Sequence, residues 1–597
     1  MSPRDSPVAT WEDWTAARVR DLEARRLLRS LRPVEPCAAP GAVDAADLEG
    51  GGRPPAAATT TTTTRGSLLA SSPRASAPRR SRGGGGGGGG DRPPPLPALS
   101  PVHVRVPDAT LRAWLADAHD LGETAFAFAA AGSSPSRVGG EDPPPSRVVR
   151  LFSSNDYLGL SAHPSVRLAA ADAALRLGAG PRSSALVCGY THSHRALESA
   201  IAHLKKTEEC LLFPTGHAAN VGVLPALCEG HPPGVGNRRS APPGSYNPAG
   251  SPGGSKNAPS PSSLTPPAVE IFSDALNHAS IVDGCRLAAR NGAKVTTYPH
   301  RDADDTLEAL LDASEARLKI IVTDSLFSVD GDFAPLRKLA ALKKKRRGFT
   351  RGDDTLLVVD EAHATLAMGA TGAGAAEAMG VDPADVDVSI GTLSKAFGSH
   401  GGFAATSRAM KSFLLSRARA QVFSTALPAP CVEAAAASLQ VSNGEEGRAL
   451  RKRLWANVAT LNEALVAGSA GTGGGRLPPD EFFFDDGFFS RSNAPSGGYD
   501  GYASRRVAVG SPIAALRVGG GFGDGSSEAE ALRCSRALLE RHGAHVVALR
   551  PPTVPAGTSR IRVALSAAHS DEDVRALVEG LRDVGLGFGG GAGRAKM

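Results

Sequence analysis

Val358-Val359-Asp360-Glu361-Ala362-His363 and, downstream, Thr392-Leu393-Ser394-Lys395 are the residues whose types and order could do chemistry in this chain. A lysine amine condenses with an aldehyde to form a Schiff base. A carboxylate at the end of an apolar strand costs free energy if buried unpaired; beneath a pyridinium nitrogen it is paired and keeps that nitrogen protonated. Lys395 and Asp360 together therefore describe a site for pyridoxal 5'-phosphate (PLP), a cofactor that accepts electrons while the protein aims it. Thr392 and Ser394 put hydroxyls beside the amine, suited to a phosphate. His363, just past Asp360, is placed to reach the cofactor's phenolic oxygen; a structural turn histidine is the alternative.

Two more segments fit the same site. Pro214-Thr215-Gly216-His217-Ala218-Ala219-Asn220 opens a helix, with Thr215 as cap and Gly216 for close approach. The N–H groups at such an end form an anion site. In Ser273 to Ser280, His278 follows a short strand, where its imidazole could stack on a ring or be a satisfied core histidine.

These side chains need a scaffold. Ile320-Ile321-Val322-Thr323 and Leu356 to Asp360 read as buried strands, and Leu336 to Lys345 has helical periodicity. Such alternation predicts an α/β fold, a mostly parallel sheet flanked by helices. Ligands bind these sheets beyond the carboxyl ends of the strands, where Asp360, His363 and Ser328 fall.

The chain has 597 residues, with 69 Gly and 45 Pro in clusters, so the folded part is smaller than the length implies. Residues 1–33 read as an amino-terminal helical arm. Residues 34–100 are low complexity and disordered, because they cannot bury enough apolar surface. A large PLP-binding domain is expected over 101–430, with an insert at 231–267. A smaller α+β domain follows over 431–590, with an insert at 468–505 carrying Phe482 to Phe484 and Phe488-Phe489. Residues 591–597 form a tail.

The net charge of +6 is mild, and 60 acidic residues interleave with the basic ones. The dense run Lys343 to Arg347 reads as a solvated loop rather than a nucleic-acid patch. Seven irregularly spaced cysteines suggest neither a disulfide framework nor a metal site, which fits a reducing compartment. No apolar run approaches a membrane span, and the amino terminus resembles no signal or transit peptide. Ala595-Lys596-Met597 is a variant of a peroxisomal address, so peroxisome or cytosol is expected.

Taken together, these segments resemble the α-oxoamine synthases, PLP enzymes of fold type I that join an amino acid to an acyl thioester and release carbon dioxide. Ser154 to Leu160 (Ser-Asn-Asp-Tyr-Leu-Gly-Leu), Gly180 to Tyr190, Asp274 to Gly284, Thr323 to Asp332 and Asp360 to His363 carry the resemblance. It covers about 11–32 and 101–590 apart from the inserts. Leu549 to Thr558 (with Arg-Pro-Pro-Thr-Val-Pro) and Ser566 to His569 point to the biotin branch in its plant-type form. The resemblance implies condensation of L-alanine with a pimeloyl thioester, on coenzyme A or a carrier protein. It implies Lys395 as Schiff-base and acid/base residue, Asp360 on the pyridine nitrogen and His278 stacked on the ring. His363 and Ser328 would hold the phenolic oxygen side; Gly216, His217 and Thr392 the phosphate. Arg562 would grip the substrate carboxylate, with Thr553 and Arg32 also at the substrate. A homodimer is implied, Ser424 and Thr425 facing the partner's cofactor, with no nucleic acid or membrane partner. His217 stands where relatives usually carry an aromatic residue, and Glu361 and Ala364 where Asp and Gly are usual. The alternatives are a sister enzyme (serine palmitoyltransferase, 5-aminolevulinate synthase or 2-amino-3-ketobutyrate ligase) and a non-catalytic scaffold subunit, which would have lost the lysine.

Overall fold

The computed structural model describes residues 35–38, 98–115, 146–229, 269–346, 354–467, 510–518 and 526–586. The expected amino-terminal helix, both inserts, the Phe cluster and the terminal tripeptide lie outside these residues. Two compact units divide the chain, 1–37 with 100–597, and 38–99; the second has described residues only at its ends.

The first two strands are β1 (Glu35–Ala38) and β2 (Leu99–Pro107). β3 (Ser146–Leu151), β4 (Glu209–Phe213), β5 (Val269–Asp274), β6 (Lys294–Tyr298) and β7 (Leu318–Asp324) follow. Then come β8 (Asp354–Asp360), β9 (Val388–Thr392), β10 (Gly402–Thr406), β11 (Ile513–Arg517), β12 (Ala544–His545), β13 (Val547–Leu549) and β14 (Arg560–Ala564). The principal sheet has seven strands in the order β4-β10-β9-β8-β7-β5-β6. Its inner pairs are parallel, and β10 alone runs antiparallel to both neighbours.

The apolar runs exist because both faces of this sheet are covered. Along β7 and β8, Ile321, Leu357 and Val359 enter one core, while Ile320, Val322 and Val358 enter the core on the opposite face. Each such side chain removed from water contributes roughly 1.5–3 kcal/mol. Side chains that cannot hide on either face are left for the strand ends, and the polar residues Asp274, Asp324, Asp360 and Thr392 stand there.

A second, antiparallel sheet, β11-β14-β13, lies toward the carboxyl terminus with the helices Ser526–His542 and Asp571–Asp583. Period-two alternation on β14 sends Ile561 and Val563 into the core and leaves Arg560 and Arg562 together on the other face. The third sheet is β1-β2-β3-β12. The architecture is that of a mostly parallel α/β domain with a smaller α+β portion, as expected.

The basic run differs from its reading as a solvated loop. The helix Leu336–Arg346 continues through it, and Lys343 is buried, its Nζ 2.6 Å from Asp387 Oδ2 and 2.9 Å from the Asp385 carbonyl. Lys344 pairs with Asp385 at 2.7 Å, and Lys345 with Glu308. Lysines are favoured in the last turn of a helix, where carbonyls point outward, and the long stem lets Lys343 cover apolar surface while its ammonium reaches acid.

Candidate active site

The helix Gly216–Leu227 begins directly beyond β4. Thr215 caps it, its Oγ1 accepting the Ala218 N–H at 2.9 Å. The first N–H groups of a helix have no partner within it. Gly216 brings them against the end of β9: a Cβ at this position would stand 3.0 Å from Thr392 Cβ and 3.3 Å from its Oγ1. The Thr392 hydroxyl donates to the Gly401 carbonyl at 3.0 Å and lies 2.8 Å from the Ser394 hydroxyl. Free N–H groups at the helix start thus stand beside the Thr392 and Ser394 hydroxyls, groups that suit a phosphate.

Asp360 ends β8 and is buried. Its Oδ1 accepts the Ala362 N–H at 2.8 Å, and its Oδ2 accepts from Asn220 Nδ2 at 2.6 Å. Both carboxylate oxygens are thus engaged by fixed N–H donors. Asn220 comes from the phosphate-cradle helix and also donates to Ser280 Oγ at 3.0 Å. Beside Asp360 in the sheet register stands Asp324, also buried. Desolvation and then the Asp360 charge hold its carboxyl well above the usual carboxylate range. The His278 N–H donates to Asp324 Oδ2 at 2.7 Å, and His278 Nδ1 meets Ser280 Oγ at 2.8 Å. His278 caps the helix Ala279–Arg290, its Nδ1 accepting the Ser280 N–H at 3.2 Å, and it stays exposed near Asp360.

Lys395 Nζ lies 2.7 Å from His363 Nε2, and His363 Nδ1 lies 2.6 Å from the Tyr157 hydroxyl. Burial keeps the imidazole neutral, its pKa pushed well below the usual range, with Lys395 and Arg562 adding to the effect. Burial also pulls the Lys395 amine down to about 8, against the opposing pull of Asp360 and Asp324. At pH 7 roughly one amine in ten is then unprotonated, against fewer than one in a thousand for an ordinary lysine. The rate at which PLP reconstitutes the cofactor-free protein is expected to rise with pH and level off above about 8, followed as growth of the Schiff-base absorbance; a limb climbing to 10.5 or beyond would contradict it.

Arg562 completes the wall: its Nε donates to the Ser328 carbonyl at 2.6 Å and its Nη2 to Asn155 Oδ1 at 3.0 Å. Lys395, Asp360, His278, His363 and Arg562 thus stand within electrostatic reach of one another, with Gly216 against Thr392 and the Ser328 carbonyl on Arg562. Other expected residues are placed differently. The exposed His217 ring turns toward Asp283, 3.8 Å away, leaving only its backbone to the cradle. Thr553 is exposed on the turn after Pro551-Pro552, its N–H donating to the Arg550 carbonyl at 2.9 Å. Arg32 lies outside the described residues. Thr425, exposed, bridges to Ser184.

Sequence reasoning did not single out Asn220, Asp324, Asn155 and Tyr157 as site residues, although all stand inside quoted motifs. Their signal was polarity at a position the strand or helix pattern would bury. Glu361, noted as a departure, faces away from the cleft. It forms a buried ion pair with Lys205 and accepts the Ala376 N–H at 2.8 Å, which fastens the glycine-rich loop after His363. Among the described residues no group of His, Cys, Asp and Glu could hold a metal ion, and their six cysteines are free.

An amine with a lowered pKa, a buried carboxylate held by two N–H donors and free N–H groups at a helix end fit PLP. Fold and site define a PLP-dependent transferase of the class I and II aminotransferase type, and the family model of class I and II aminotransferases matches residues 251–581. The 8-amino-7-oxononanoate synthase of Arabidopsis thaliana is 41% identical over 481 residues, 80% of this chain and 82% of that protein. That of Geobacter sulfurreducens is 36% identical, covering 77% and 93%. Among solved structures, Sphingomonas wittichii serine palmitoyltransferase matches with a TM-score of 0.55 at 27% identity, over 78% of this chain and 95% of that one. The chain belongs to the 8-amino-7-oxononanoate synthase family.

Proposed function

We propose that this chain catalyses the decarboxylative condensation of L-alanine with a pimeloyl thioester, giving 8-amino-7-oxononanoate, carbon dioxide and the free thiol, a step of biotin biosynthesis. The observation that carries it is the Lys395–His363–Tyr157 chain of contacts beside Asp360 and Arg562, in a chain 36–41% identical to synthases of that name. PLP, when bound, supplies the electron sink that lets the amino-acid α-carbon carry negative charge.

The chain's own residues do the rest. Lys395 Nζ would hold the cofactor aldehyde, and its amine is the group that would take and return the α-proton. The neutral His363 ring links that amine to the Tyr157 hydroxyl and so fixes where the amine stands. Asp360, held by Asn220 and the Ala362 N–H, would pair with the pyridine nitrogen. His278 would pack on the ring, and Gly216, His217 and Thr392 would hold the phosphate through backbone N–H and hydroxyl. Arg562 binds the substrate carboxylate, whose planar geometry suits its fork. Thr553 and Arg32 belong to the substrate side in this reading.

A homodimer is part of it. Leu186, Val187 and Phe423 are large apolar side chains left 52%, 76% and 68% exposed on the two segments that the Ser184–Thr425 bridge joins. A second copy covering them would receive Ser424 and Thr425 near its cofactor. Among the described residues no helix is long and apolar enough to cross a membrane.

The test is product identity. The PLP-loaded protein is incubated with alanine, serine or glycine and with pimeloyl-, palmitoyl- or succinyl-CoA, and products are read by mass. Alanine with pimeloyl-CoA is expected to give the dominant amino ketone; preference for serine with palmitoyl-CoA would replace this reading with that of a sister enzyme.

A further inference from the structure

A second cluster of charge stands beside the cleft without facing the cofactor. His300 follows β6; its Nδ1 is 2.9 Å from Asp274 Oδ1 at the end of β5, and its Nε2 is 2.9 Å from Asp332 Oδ2. Carboxylates on both ring nitrogens require donors on both. Burial works against the charged ring, yet the two carboxylates outweigh it and push the pKa up to about 9. Arg301 on the same loop is 3.3 Å from Asp332, Asp330 lies near enough to feel the ring, and Arg560 faces them from β14.

Asp332 closes a turn whose other end is Phe327. The Phe327 N–H donates to the Asp332 carbonyl and the Gly331 N–H to the Phe327 carbonyl, each at 2.9 Å, and the Phe327 ring stands edge-on to His300 with centroids 4.4 Å apart. Gly331, at φ +72°, packs so closely on β11 that a Cβ would lie 2.1 Å from the Ile513 carbonyl oxygen. On its far side the turn meets β14: Asp330 pairs with Arg560, and the Ser328 carbonyl accepts from Arg562 Nε. The orientation of Arg562 thus follows that of a turn which His300 ties to the principal sheet.

We propose that His300 is a positioning residue for the amino-acid substrate: by bridging Asp274 to Asp332 it fixes the Phe327–Asp332 turn, and through the Ser328 carbonyl the guanidinium that meets the substrate carboxylate. This rests on the reading of Arg562 given above. Misplacing a binding group by an ångström or less is enough to weaken a bidentate contact while leaving the rest of the cleft intact.

The experiment compares L-alanine with ethylamine, the same amine without its carboxylate, titrated into PLP-loaded protein and followed by cofactor absorbance. His300→Gln is expected to weaken alanine binding roughly tenfold or more and ethylamine binding less than about twofold; Asp332→Asn, which removes the same bridge, repeats the pattern if the first variant folds poorly. Equal effects on the two amines, or none, overturn the proposal. Arg562→Met separates it from the reading beneath: selectivity lost there but kept in His300→Gln sinks the positioning role alone, whereas selectivity kept in Arg562→Met sinks both. A second readout is independent of substrate. Because the folded pKa is raised above the ordinary 6.5, the charged bridge stabilises fully below that pH and its contribution is lost as pH rises through about 9. The melting-temperature gap between wild type and His300→Gln should be wide at pH 6 and close toward pH 10; a pH-independent gap overturns the charged bridge.

Discussion

Lys395→Ala is expected to lower turnover by at least about 10⁴-fold, because it removes both the anchoring amine and the group that moves the α-proton. His363 sits 2.7 Å from the amine but is neutral and buried, with its second nitrogen engaged by Tyr157. The phosphate cradle and Asp360 survive the change, so PLP should still bind, reversibly. Borohydride then fixes no cofactor to the chain. Mass analysis reads this directly: wild type gains reduced cofactor on the peptide holding residue 395, and the variant gains none. Cofactor trapped elsewhere in Lys395→Ala would falsify the assignment.

Asp360→Asn carries the second largest effect, a fall in turnover of roughly 10²–10³-fold, the scale for deleting one preorganised electrostatic contact. The substitution is nearly isosteric, yet it fails twice. It deletes the charge that keeps the pyridine nitrogen protonated. It also puts an amide where two donors already point, the Ala362 N–H at 2.8 Å and Asn220 Nδ2 at 2.6 Å, so the Asn220 amide must turn and leave its bond to Ser280, or one N–H faces another. A further consequence separates it from general damage. Asp360 raises the Lys395 pKa against the stronger effect of burial. Without it the amine should lose its proton more easily, and the pH limb of PLP reconstitution should move below about 8. A limb that stays in place or moves upward would mean that the carboxylate does not act on the amine.

Chain order alone carried much of this architecture. Apolar runs at 320–323 and 356–360 became β7 and β8, and the Thr215–Gly216 pair opened its helix with the hydroxyl cap in place. These are local signals, set by strand burial and by the need to satisfy a helix end. The basic run at 343–347 misled because its composition says solvent, while its partners Asp385 and Asp387 arrive from a loop distant in sequence.

Motif spacing was enough to propose a Schiff-base lysine, an acidic partner and a phosphate cradle, since each lies within a few residues of the strand or helix end that holds it. Which groups surround them could not be read that way. That Asn220 holds Asp360, that Tyr157 meets His363, and that Glu361 turns away to Lys205 are contacts between segments far apart along the chain. The same is true of His300, whose reach to Arg562 crosses two sheets. A residue's type tells what it can donate, accept or bury; only packing in three dimensions decides which partner it finds, because desolvation leaves a buried polar atom no choice but the neighbour the fold supplies.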